Sequence, residues 1–287
     1  MSGTADDTQE TGERAYFLGH SEAEIERLAL QSAFYRQTTQ SALQRAGLAQ
    51  GMRVLDIGAG GGDVSLIAAE LVGPSGFVLG IDRSAQAVAA ATRRVERAGV
   101  RHVHFAVSEL DAFATDAPFD ALIGRFVLMY MADPAATLRA LVRHLRPGGI
   151  VMFEEMEMRS ARGYPDAPLF ARCVDWYSTA IEGAGFESGM GGKLFATFLA
   201  AGLPAPRAMV AGRLEGGADP PGYALMAANV RTMLPMLLRL NAVSEAEVGL
   251  DTLAERLRQE AVEGGRCLMF PLLVSVCARG LSASEGR

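Results

Sequence analysis

The pattern of apolar and polar positions divides the chain into three stretches of different character. Between residues 50 and 156, short apolar runs alternate with longer amphipathic segments. The runs predict strands at 52–57, 77–81, 102–107, 120–124 and 149–154. The segments between them predict helices at 63–72, 84–98 and 134–145. Ser84 is placed to cap the second helix, and Asp133 followed by Pro134 is a start signal for the third. Strand and helix in turn are the mark of an α/β fold, with a parallel sheet covered on both faces.

The flanks read differently. Residues 1–14 are polar and acidic and predict a loose arm. Ser21 with Glu24 forms a capping box, and Ile25, Leu28, Ala29, Ser32 and Ala33 repeat at helical spacing. A second helical stretch follows at 38–45 and stops at Gly47. Beyond Met156 the alternation breaks, giving helices at 168–182 and 193–201, a strand at 207–214, and further helices at 221–240 and 251–260. Pro235 is expected to bend or break the helix that contains it. A last strand begins after Pro271, since proline cannot donate to a central ladder.

The most informative segment is the first strand with the loop after it, Val54-Leu55-Asp56-Ile57-Gly58-Ala59-Gly60-Gly61-Gly62-Asp63. A buried strand runs into a glycine loop and then a helix N-terminus, a geometry that brings backbone N–H groups close to a ligand. The dinucleotide fingerprint requires a glycine where this chain has Asp63. Asp56 would also meet a pyrophosphate unfavourably, whereas a ligand carrying an ammonium and a sulfonium suits it. The second strand ends in Asp82, where a carboxylate can accept both hydroxyls of a ribose.

From about Gly51 to Met156 these residues resemble the class I S-adenosylmethionine (SAM)-dependent methyltransferases. The resemblance implies a Rossmann-like, mostly parallel seven-stranded sheet with helices on both faces. It also implies N-terminal helices, residues 15–50, that close over the cofactor. Residues 51–287 then form the SAM-binding domain, with helical insertions at about 159–190 and 217–264 capping the site. The cofactor contacts implied are Asp56, Gly58, Ala59 and Gly60 in the first loop, then Asp82 and Arg83. Ser108, Glu109 and Leu110 fall where the family holds adenine, although many members have Asp where this chain has Ser108 or Glu109. Arg125 falls beside the methionine moiety, and Tyr16 and Gln31 come from the N-terminal segment. Phe126, Met129 and Tyr130 are expected to shape the acceptor pocket; simple core packing is the competing reading of the same residues.

Two residues are candidates for proton transfer. Glu155 lies among the crowded acids Glu154, Glu155 and Glu157, where mutual repulsion can raise a pKa; solvated loop charges are the alternative. His20, in the closing segment, is the other. His102 and His104 share a strand face without a third ligand, so no metal site is expected.

Composition narrows the function further. The chain has 287 residues, a formal net charge of −6 and no basic run, which argues against a nucleic-acid footprint. Lys193 is the only lysine, and its surroundings read as a helix start rather than an apolar Schiff-base pocket. Cys173, Cys267 and Cys277 are scattered, and neither a disulfide framework nor a zinc knuckle follows from them. The N-terminus has no apolar signal region, and the apolar run at 267–278 is too short to span a bilayer. The expectation is a cytoplasmic bacterial enzyme, monomer or homodimer, that moves a methyl group from SAM to an oxygen, nitrogen or carbon of a small organic acceptor. A non-methylating enzyme of the same fold (a cyclase, for example), a non-catalytic SAM-binding protein and an NAD(P)-dependent oxidoreductase are the alternatives.

Overall fold

Strands β1 (Arg53–Ile57), β2 (Phe77–Asp82), β3 (Val103–Val107), β4 (Phe119–Arg125) and β5 (Leu145–Glu157) are the apolar runs of the central stretch. A computed structural model describes residues 22–280, with side chains from Glu26 onward. The five strands pair in parallel, and β10 (Leu272–Arg279) lies antiparallel between β5 and β7 (Arg207–Ala211). The result is a seven-stranded sheet of order β3-β2-β1-β4-β5-β10-β7. The first three parallel crossovers are made by α2 (Asp63–Val72), α3 (Ala85–Arg97) and the 108–118 loop, and α4 (Pro134–Val142) links β4 to β5.

Side-chain alternation along each strand separates two cores. Val54, Ala121, Ile123, Ile150 and Met152 face one side and pack with Leu43 and Ala46 of α1 (Glu22–Ala46) and with Ile67 and Ala68 of α2. Leu55, Ile57, Leu122, Val151 and Phe153 face the other side. The same parity decides where the strand-end acids point.

The N-terminal segment is one helix of 25 residues rather than two stretches. No Pro or Gly lies between Glu22 and Ala46, so nothing interrupts the ladder until Gly47, whose φ is +99°. The Ser21–Glu24 capping box lies outside the described residues and side chains.

After β5 come α5 (Pro168–Gly183), α6 (Met190–Ala200), α7 (Gly222–Arg239), α8 (Glu245–Val248) and α9 (Leu250–Glu263). Helix α7 runs unbroken through Pro235, because the buried Met233, Met236 and Leu237 around the proline hold it in the apolar core. The predicted strand at 207–214 is two strands. β7 ends at Ala211, and β8 (Leu214–Glu215) joins a small sheet of order β6-β9-β8 with β6 (Arg162–Tyr164) and β9 (Cys267–Met269). Gly212 lies between them, where an added Cβ would stand 2.5 Å from Leu272. No helix among the described residues is long and apolar enough to cross a membrane.

Candidate active site

Beyond the carboxyl ends of β1, β2 and β4 the glycine loop borders a cavity of about 520 Å³. Gly58 has φ +62°, and a Cβ there would lie 2.8 Å from Cγ2 of Val127, so the loop rests directly on the chain that leaves β4. At Gly60 and Gly61 an added Cβ meets none of the described residues within 4 Å, which leaves the backbone uncovered by them on the cavity side. The Gly60 N–H donates to Oδ2 of Asp82 at 2.9 Å, and the Ser84 N–H donates to Oδ1 at 2.8 Å. Asp82 is thereby fixed at the lip of the cavity before any ligand arrives.

The cavity brings together most of the residues singled out in the sequence. Gly58, Ala59 and Gly60 line it, with Asp82 and Arg83 from the end of β2 and Ser108, Glu109 and Leu110 from the end of β3. Arg125, Phe126, Met129 and Tyr130 line it after β4, and Gln31 reaches it from α1. Tyr16 and His20 lie outside the described residues. Arg27 and Leu28 of the same N-terminal segment line the cavity as well, whereas other lining residues, among them Tyr177 and Phe186, carried no signal in the sequence. Arg27 is buried and donates to Oε1 of Gln31 at 2.8 Å and to Oδ1 of Asn229 at 3.1 Å, tying α1 to α7.

Two acids are placed differently from the expectation. Asp56 does not line the cavity. It shares the face of Val54, so its side chain points toward α2, where Oδ2 accepts the Ser65 hydroxyl at 2.6 Å. Burial pushes its carboxyl up to about 7, against the opposing pull of Ser65 and Arg125.

Glu155 is also fully buried and is neither a solvated loop charge nor a base facing the cavity. It follows the parity of Phe153, and its Oε1 accepts the N–H groups of Val127 at 2.8 Å and Leu128 at 2.7 Å. Burial pushes this carboxyl up to about 8, opposed by the backbone N–H groups it accepts.

Glu154 points to the opposite face and explains the charge that interrupts β4. Arg125 Nη1 donates to the Thr39 hydroxyl at 2.9 Å, and that hydroxyl donates to Oε2 of Glu154 at 2.5 Å. The Ser275 hydroxyl donates to Oε1 at 2.9 Å. Burial raises the Glu154 carboxyl, while Arg125 and the two hydroxyls pull it down. Thr39 is thus the link between α1 and the cavity arginine; its place in an apolar-periodic helix gave no signal of this.

His102 and His104 serve packing. Nε2 of His102 lies 3.1 Å from the Ala69 carbonyl, and His104 stacks on Phe77 with ring centroids 5.3 Å apart. The described residues contain no cluster of three or more metal-ligating side chains.

A parallel sheet with an open-backbone glycine loop, an acid at the end of the second strand and a concave site beyond the strand ends defines a ligand-binding α/β domain. Residues 48–179, a little under half of the chain, match the family model described as a methyltransferase domain. It is similar to an arsenite methyltransferase of Aquipseudomonas alcaligenes, 34% identical over 117 residues that cover 38% of this chain and 34% of the relative. A ubiquinone biosynthesis O-methyltransferase of Aromatoleum aromaticum is 34% identical over 132 residues, covering 46% of this chain and 54% of the relative. The chain spans about a third to a half of the length of the curated relatives it matches. Among solved structures, the YcgJ protein of Bacillus subtilis has a TM-score of 0.57 at 16% identity, covering 86% of this chain and 100% of that one. The likeness to YcgJ is one of fold.

Proposed function

We propose that this protein transfers the methyl group of SAM to a small organic acceptor bound in the cavity at the strand ends. The observation that carries the reading is the joined geometry of the glycine loop and Asp82. The loop backbone is open to the cavity, and the carboxylate beside it stands where ribose hydroxyls can replace its present N–H donors. These residues fit a nucleoside donor. Gly58, Ala59 and Gly60 would carry the methionine moiety, Asp82 the ribose and Leu110 the adenine face, with Ser108 and Glu109 at its edge. Arg125, held by Thr39, is oriented to take the donor carboxylate.

SAM supplies an electrophilic methyl group, so the protein's part is to orient the acceptor and keep water out. Orientation of reacting partners is worth roughly 7–11 kcal/mol. The acceptor wall is assigned to Phe126, Met129, Tyr130 and Tyr177, a surface suited to a partly apolar molecule. Helix α1, through Arg27 and Gln31, and the segments 159–190 and 217–264 form the cap in this reading. Arsenite, named for the relative from Aquipseudomonas alcaligenes among others, is not the acceptor proposed: trivalent arsenic is thiophilic, and none of the three cysteines lines the cavity. Cys173 is buried in α5, where its thiol is pushed up to about 12.

Calorimetric titration with S-adenosylhomocysteine, the demethylated donor, tests the reading. The wild-type protein is expected to bind it, and Asp82→Ala to weaken binding by about tenfold or more, the scale of lost charge-assisted hydrogen bonds. An unchanged dissociation constant for Asp82→Ala would refute the ribose assignment.

A further inference from the structure

The chain leaving β4 is under unusual constraint. Phe126 has φ +57°, a left-handed conformation that a bulky residue without local stabilisation avoids. Its N–H is still held by the sheet, donating to the Glu154 carbonyl at 3.0 Å. The next two amides, of Val127 and Leu128, point away from the sheet toward the Glu155 side chain, and a single oxygen accepts both. A short 3-10 turn, Leu128–Tyr130, comes next and delivers Met129 and Tyr130 to the cavity. The side chain of Val127 sits where a Cβ on Gly58 would fall.

From this geometry we infer that Glu155 is a positioning residue for the methyl-donor cradle, acting through Val127 rather than by contact with any ligand. Its carboxyl oxygen fixes the direction of the two amides after the strained Phe126. That direction presses the Val127 side chain onto Gly58 and sets the height of the glycine loop under the donor. A fully buried carboxyl that accepts the Val127 and Leu128 amides at one oxygen, with the Met129 amide also acting on it, is what a bracing role requires. A group that exchanged protons with an acceptor would need a path to the cavity, and Glu155 does not line it. The inference rests on the donor site proposed above and assigns to it a residue outside the cavity wall.

The test uses the full chain and S-adenosylhomocysteine as probe, with amide hydrogen exchange as an independent readout. Glu155→Gln keeps an acceptor oxygen for both amides and is expected to retain most of the affinity. Glu155→Leu keeps the bulk but removes the acceptor, and is expected to weaken binding by about tenfold, as when buried amides lose their partner. It should also speed exchange at residues 126–130 while β1 and β4 keep their protection. Val127→Ala removes the strut alone, and the double variant Glu155→Leu/Val127→Ala should bind no more weakly than the worse single one, since both act on one contact. Additive losses, or Glu155→Leu binding within twofold of wild type, would overturn the inference. If the wild-type protein fails to bind the probe, the donor site itself is wrong. Unchanged exchange at 126–130 in Glu155→Leu removes the brace whatever the probe does.

Discussion

The helices of the sheet half and those of the later half begin in different ways. In the sheet half, α3 is capped by Ser84, whose hydroxyl accepts the Ala87 N–H at 3.2 Å. Helix α4 is capped by Asp133, which accepts the Ala136 N–H at 2.9 Å, with Pro134 at the first helical position. In the later half, α5, α6 and α7 have no side-chain bond from the residue that caps them. Carboxylates from elsewhere in the chain serve them instead. Glu260 of α9 accepts the N–H groups of Leu169 and Phe170 at 2.7 and 3.1 Å. Glu157 accepts that of Gly192 at 2.9 Å, and Glu215 that of Gly222 at 2.8 Å. Orphan amides and helix dipole are satisfied in both halves, but in one by neighbours in sequence and in the other only after the tertiary structure has assembled. The first kind of helix can start alone, whereas the second depends on its partners. In the later half α8, capped by its own Ser244, departs from the pattern. So does α9, which starts from Gly249 with neither a side-chain cap nor a distant carboxylate among the described residues, and α2 departs in the sheet half. Helix α2 opens from Gly62 without a side-chain cap because its start belongs to the glycine loop beside the cavity.

The sharpest break of this comparison is Glu260→Ala. It removes both acceptors of the α5 start at once, and charge-assisted bonds to a partly buried carboxylate make the expected loss about 3 kcal/mol in urea unfolding. Hydrogen exchange should rise in α5 and α9 together, because the bond joins them. A loss under about 1 kcal/mol, the size of a single exposed cap, would mean that the distant carboxylate is incidental.

The buried strand-end acids of the sheet half supply the next test. Burial lifts Asp56 to about 7 and Glu155 to about 8, both above their ordinary values of 3.8 and 4.5. The folded protein therefore holds protons that the unfolded chain has released across this window. Their stabilising contribution is full at acid pH and is lost as pH rises through 7 and 8, with a slope of at most about 1.4 kcal/mol per unit for each group. The midpoint of thermal unfolding should fall from pH 5 to pH 8. Asp56→Asn, which keeps an oxygen for the Ser65 hydroxyl, should flatten that fall. A profile for Asp56→Asn parallel to wild type would show that Asp56 is ionised in the fold.

The same division explains what could be read from the sequence. The strands of the central stretch, their intervening helices and the glycine loop are written in periodicity and in local start signals, so β1 through α4 were legible within a few residues. The strand-end acids were legible as acids but not in their direction. Parity places Asp56 with Val54 and Glu155 with Phe153, and which face of a parallel sheet meets the ligand is settled by what packs there. Helix α6 begins at Met190 instead of Lys193, with Glu157 bonded to its first turn. Thr39 could not be singled out, because its partners Arg125 and Glu154 are 86 and 115 residues away in sequence. Likewise the cavity residues Tyr177 and Phe186 lie in a region where helical spacing gives a buried face without naming what is buried against it.

The smallest effect is expected at Asp133, and its smallness is the point. The residue is exposed, makes one local bond to the Ala136 amide, and is followed by a proline that already presets the first helical turn. Asp133→Ala should cost about 1 kcal/mol, with faster exchange confined to the first turn of α4. Water can replace the lost acceptor there, which it does less readily at the partly buried start of α5. Comparing the spread of exchange in Asp133→Ala with that in Glu260→Ala separates the two ways of starting a helix more directly than either stability loss alone. A disturbance from Asp133→Ala that travels into α6, which also packs against α4, would show that the sheet half is no more locally built than the rest.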